Sequence, residues 1–232
     1  MISMLTRYLP LIAGVLPLAA VYLAFGIGVY ADALPACVPL IDGCVSVSAT
    51  GRKPPGSFLF RAVMLPQVAF LLLTWYVAVD WLRSLDPNLS RYMSRAIHIS
   101  SLVSALALVL YVTFLGTKEP LYEFMRRFGI YFFFIGMVLT EVFVVIALSK
   151  MTHVMRHGLL RRQVRTMTAL SALPFALGLL NFYLKATLED PDAAENSIEW
   201  IAATSMQLYL VVMYFAWKAS GFRTQVETSL RP

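Results

Sequence analysis

Phe132-Phe133-Phe134-Ile135-Gly136-Met137-Val138-Leu139-Thr140-Glu141-Val142-Phe143 is the stretch whose reading decides the fold. It sits inside a longer run, Arg127 to Ser149, whose interior carries one charged side chain, Glu141. A run of about twenty such residues, wound as an α-helix, rises about 30 Å, the thickness of a bilayer's hydrocarbon core. Lipid offers the backbone neither donor nor acceptor, so the peptide groups must pair within the segment, which makes it helical. Five more runs of the same kind follow from the sequence: Pro10–Tyr30, Ser57–Trp81, Ala96–Leu115, Thr166–Lys185 and Glu199–Trp217. Pro17, Pro66 and Pro174 lie inside these spans, where neighbouring helices must cover the carbonyls they free.

The chain therefore reads as an all-α, polytopic membrane protein, a bundle of six transmembrane helices with a structured first outer loop over 31–56. With 232 residues, 59% of them hydrophobic and 14% charged, little is left for a separate soluble domain, so 1–232 reads as one membrane unit. The net charge of +6 falls in connectors between spans, where topology accounts for it and nucleic-acid binding does not. Twelve of the nineteen basic residues fall on the side that holds Arg7, Arg83, Arg91, Arg95, the Lys150–Arg165 connector and the C-terminal residues. Nine acidic residues fall on the other side, against three there. The positive side is expected to be cytoplasmic, with both termini inside. Ala31-Asp32-Ala33 looks like a small-residue cleavage site, but the preceding apolar run is too long for a signal peptide, so the first span is read as retained.

The longest outer connector, Ala31 to Gly56, carries both cysteines, Cys37 and Cys44. On the side facing an oxidising space the pair favours a disulfide, with two unpaired thiols as the alternative; a metal site would need ligands that are not there. Ser46, Ser48 and Thr50 alternate, which in an extended segment would put three hydroxyls on one face. Arg52, Lys53 and Arg61 stand where a lipid phosphate would lie; the competing reading is a packed lid whose cations meet head groups as any interfacial residue would.

From Cys37-Val38-Pro39 through Val45-Ser46-Val47-Ser48-Ala49-Thr50-Gly51-Arg52-Lys53-Pro54-Pro55-Gly56-Ser57-Phe58-Leu59-Phe60-Arg61, the loop resembles the first outer loop of the FRAG/DRAM/SFK family of six-span proteins, which includes post-GPI-attachment lipid-remodelling factors. The shared pattern is the Cys-x-Pro start, a Ser-rich strand-like stretch, a Gly turn, a Pro, and an aromatic-Arg pair opening the second helix. The turn from Tyr111-Val112-Thr113 to Phe124 and the span layout fit as well. The resemblance implies a protein that recognises or remodels a lipid or glycolipid at the outer leaflet. GPI-remodelling members carry a His in the second outer loop, where Lys118-Glu119-Pro120-Leu121-Tyr122-Glu123 stands here, so no role of that His transfers.

Ionisable groups buried in lipid are costly and mark function by default. Glu141 is the leading candidate for a catalytic or carrier group, since no Lys or Arg lies within a helical turn of it. Gln67, Asn181 and Gln207 are expected to face it in one polar pocket opening toward the outer leaflet, with Arg61, Glu123, Lys185 and Glu199 at the rim. Ser46 and Ser48 complete the expected ligand-binding set. The competing reading of each amide is interhelical glue. His98, His153 and His157 lack a third ligand, so no metal is expected. Gly26-Ile27-Gly28 follows no strand and precedes no Lys at the needed spacing, so no phosphate loop and no cofactor is expected. Lys150 to Arg165 reads as a basic helix on the inner surface, and Trp75-Tyr76 and Tyr131–Phe134 as lipid-facing aromatics.

Three functions remain: lipid recognition or remodelling, with membrane lipid as partner; a non-catalytic scaffold or regulator of a membrane-protein partner; and a small proton- or cation-coupled transporter. The last lacks visible inverted repeats.

Overall fold

The computed structural model describes residues 6–223; Glu227 and Arg231, counted above in the charge bias, lie outside them. Among the described residues there are nine helices and no strand: α1 (Leu9–Tyr30), α2 (Pro39–Asp42), α3 (Val47–Thr50), α4 (Gly56–Leu85), α5 (Arg91–Thr113), α6 (Pro120–Lys150), α7 (Thr152–Arg156), α8 (Gly158–Thr187) and α9 (Asp192–Ala219). Six of them, α1, α4, α5, α6, α8 and α9, are long and apolar enough to cross a membrane. Most outrun the expected spans, α6 reaching 31 residues, because helical hydrogen bonding continues past the point where hydropathy falls.

Each long helix packs on the next in sequence, and α9 closes the ring against α1. From α4 onward such a ring follows from short connectors, which force successive spans to be antiparallel neighbours. The tightest seam is α5–α6. A Cβ at Gly136 would crowd the Ser100 carbonyl oxygen at 2.8 Å, and one at Gly129 the Tyr111 backbone nitrogen at 2.5 Å. These two glycines let the backbones close up, as small residues do where lipid supplies no hydrophobic drive between helices. Ser100 and Thr140 then share a hydrogen bond at 2.7 Å, and Ser104 donates to the Phe133 carbonyl at 3.0 Å.

The loosest long-helix seam is α6–α8. The buried residues of α8 are Leu160, Val164, Met167 and Ser171, all in its first half. Its second half is largely exposed and stands on the perimeter.

Pro17 and Pro66 sit inside continuous helices, and so does Pro174. Pro17 has no N–H for the carbonyl four residues back, that of Ala13. The Gln67 side chain fills the gap, donating Nε2 to Ala13 O at 2.6 Å.

Three expectations need correction. The serine-rich stretch is not extended: Val47–Thr50 is a single helical turn, and Ser46 is its N-cap, accepting from Ala49 N at 3.2 Å. Serine's short side chain competes for backbone N–H groups, which favours a cap over a strand. The three hydroxyls accordingly do not share a face. Lys150 to Arg165 is not one surface helix either. It breaks at Met151 and again at His157, whose Nδ1 accepts from Leu160 N at 3.3 Å, and its basic second half forms the first turns of α8. Finally, Trp75 and Phe133 point inward; all four tryptophans are at most 1% exposed.

Candidate functional site

The loop between α1 and α4 is fastened over the start of α9. Asn196 Nδ2 donates to Gly43 O at 2.8 Å, Ser197 Oγ to Ile41 O at 3.4 Å, and Trp200 Nε1 to Val45 O at 2.8 Å. Positions 196, 197 and 200 share one helical face, so the cap is read by the first turns of α9. Gly43 adopts φ +57°, and a Cβ there would overlap the Ala193 carbonyl. A disulfide joins Cys37 to Cys44, Cα atoms 6.6 Å apart, in the same loop.

Beneath the cap, Glu199 Oε1 accepts from both Ser48 N and Ser48 Oγ, each at 3.2 Å. Tyr111 Oη donates to Ser48 Oγ at 3.1 Å. One carboxylate thus ties α9 through the cap to α5. Two hollows meet at Glu199. The first is a central chamber of about 50 Å³ lined by Glu199, Gln67, Gln207 and Thr204 among mostly apolar side chains. Gln67 Oε1, Gln207 Oε1 and Thr204 Oγ1 are buried there without a protein partner, and the chamber is large enough for water to serve them.

The second hollow is a cleft of about 400 Å³ between α6, α8 and α9. Ser48, Asn181, Glu195 and Glu199 line its end beneath the cap; Ile135, Val138, Leu139, Pro174, Phe175 and Ala202 line it further in. From Asn181 to Pro174 is two turns, or about 10 Å along α8. The mouth of the cleft is on the lipid-facing perimeter, where Tyr131, Ile135 and Phe175 are 65%, 55% and 52% exposed.

The single polar pocket expected around Glu141 is therefore divided. Gln67 and Gln207 reach the chamber, Asn181 reaches the cleft, and Glu199 reaches both. Glu141 lines neither. It is 0% exposed, about 15 Å further along α6 than Tyr131, and both its carboxyl oxygens are buried without a protein partner. Its backbone carbonyl takes the Tyr209 hydroxyl at 2.9 Å. The rim also differs. Arg61 donates to the Leu115 carbonyl and Glu123 pairs with Arg127 at 3.9 Å, both away from the two hollows. Lys185 holds Glu195 at 2.7 Å at the cleft's polar end. Ser46 is engaged as a cap. Among the described residues no cluster of His, Cys, Asp or Glu is placed to hold a metal.

Sequence reasoning did not single out Tyr111 or Trp200. Their signal, a polar-tipped aromatic at the end of an apolar span, is one that many ordinary spans share.

The family model described as the Frag1/DRAM/Sfk1/Cwh43P N-terminal domain matches residues 6–220. The chain belongs to that family. No curated protein and no solved structure matches it. The Frag1/DRAM/Sfk1 match takes in the cap, all six long helices and both hollows, and with the six apolar helices it makes the chain an integral, multi-pass membrane protein.

Proposed function

We propose that this Frag1/DRAM/Sfk1 family protein recognises a membrane lipid that enters sideways between α6 and α8. The head group lies under the cap against Glu199, Asn181 and Ser48, and an acyl chain runs along the apolar wall toward Pro174 and Leu139. The observation that carries this reading is the cleft itself: polar at one end, apolar for about 10 Å beyond, and open on the perimeter that faces lipid. A ligand arriving from water would need a mouth at the end of the bundle. A hydrocarbon chain arriving from the bilayer needs one on its side.

The excess of Lys and Arg at the opposite end of the bundle supports placing the cap on the non-cytosolic face, with both termini in the cytoplasm. The assignment is to binding. Ser48 and Glu199 hydrogen-bond each other, but the serine oxygen is also held by Tyr111, a geometry that suits a fixed polar surface.

Gly178 gives a clean test. A Cβ there meets nothing within 4 Å and the residue lines the cleft, so Gly178→Trp fills the cleft without disturbing a packed contact. Native mass spectrometry of the full chain in mild detergent should show lipid adducts on the wild type and few on Gly178→Trp, at equal helix content and thermal stability. Adducts retained undiminished by the variant would refute the cleft as the site. A lipid-free wild type that co-purifies with a stoichiometric protein would favour the scaffold function instead.

A further inference from the structure

We infer that the cleft, on the lipid-binding reading above, selects a head group bearing a primary ammonium, of the ethanolamine type. Two acceptors stand at the polar end, the Glu199 carboxylate and the Asn181 amide oxygen. Asn181 Oδ1 is buried with no partner in the protein. Glu199 makes no ion pair with a Lys or Arg among the described residues, and its known donors are both from Ser48. The Ser48 hydroxyl is spent on Glu199, and its oxygen accepts from Tyr111. Lys185, beside the polar end, is taken by Glu195. Arg52 is exposed and does not line the cleft.

That arrangement discriminates by chemistry. A primary ammonium brings three N–H donors and a positive charge to a carboxylate and an unpaired amide oxygen. A trimethylammonium brings charge without donors, leaving Asn181 Oδ1 unpaired. A head group ending in a carboxylate, or an anionic one lacking an amine, meets Glu199 with like charge. Of the three cations that the sequence placed for a phosphate, Arg61 is committed to the Leu115 carbonyl, and Arg52 and Lys53 are exposed and outside the cleft lining.

The test is a competition read by native mass spectrometry. Full-length protein is exchanged into vesicles holding equal amounts of phosphatidylethanolamine, phosphatidylcholine and phosphatidylglycerol with matched acyl chains. Bound phosphatidylethanolamine should exceed phosphatidylcholine by roughly tenfold, the ratio that one charge-assisted hydrogen bond carries. Glu199→Gln keeps an oxygen for Ser48 and removes the charge, so bound phosphatidylethanolamine should fall and the ratio should drop toward one. Asn181→Leu, at a half-buried position that does not tie down the cap, should lower the ratio several-fold. Equal binding of the three lipids, or preference for phosphatidylglycerol, overturns the head-group assignment and leaves the cleft reading standing. Failure of all three lipids to bind overturns the cleft reading, and this inference with it.

Discussion

The bond from Gln67 to Ala13 can be tested as a repair. Pro17 lacks the N–H that would satisfy the Ala13 carbonyl, and Gln67 Nε2 supplies one from α4 at 2.6 Å. In wild type, Gln67→Leu leaves that carbonyl unpaired in an interior without bulk water. The cost should be about 1–2 kcal/mol, the range for interhelical side-chain hydrogen bonds in membranes and for unpaired buried acceptors. It is held at the lower end because Gln67 Oε1 is itself buried without a partner, and leucine removes that penalty. In a Pro17→Ala background the restored N–H closes the helix's own bond, and Gln67→Leu should then cost close to nothing. The cycle should show a coupling of about 1 kcal/mol. Reversible unfolding in mixed micelles titrated with SDS measures it, followed by tryptophan fluorescence; all four tryptophans are at most 1% exposed, so the signal reports tertiary packing. Two single costs that simply add would refute the repair.

Other outcomes follow from the same packing. Gly129→Val should destabilise by about 1–3 kcal/mol in the same assay, because its side chain enters the Tyr111 backbone; an unchanged midpoint would mean that α5 and α6 are not so close. Glu141→Leu removes two buried oxygens that have no protein partner, so it should leave stability unchanged or raise it by about 1–3 kcal/mol and keep lipid adducts. A loss of stability would reveal a partner for the carboxyl. Without reductant, maleimide should leave Cys37 and Cys44 unmodified and should label both after reduction; strong labelling beforehand would remove the bridge.

Hydropathy placed all six spans, as the long helices show, and the cap motif pointed to the family that the match over 6–220 establishes. Much of the site was harder to read. Glu199 and Ser48 are 151 positions apart, so nothing local connects them. Gln67 looked like a pocket residue, and its nitrogen proved to serve a proline on another helix, a pairing visible only once α1 and α4 are side by side. Ser46 and Ser48 looked equivalent; one caps a turn, while the other meets Glu199.

Membrane insertion and, beyond the 31–55 loop, helix order were settled by the sequence, because hydropathy summed over about twenty residues depends on neighbours along the chain, and short connectors leave successive spans little choice but to lie alongside each other. Which polar groups share a hollow was decided by tertiary packing. Spans that are apolar nearly all round carry no amphipathic face to reveal how each helix is turned about its own axis. That rotation is set by close fits such as Gly129 and Gly136 of α6 against α5, which turn Glu141 away from the cleft, and Gly14 of α1 against the Gln207 carbonyl of α9, the helix that carries Glu199.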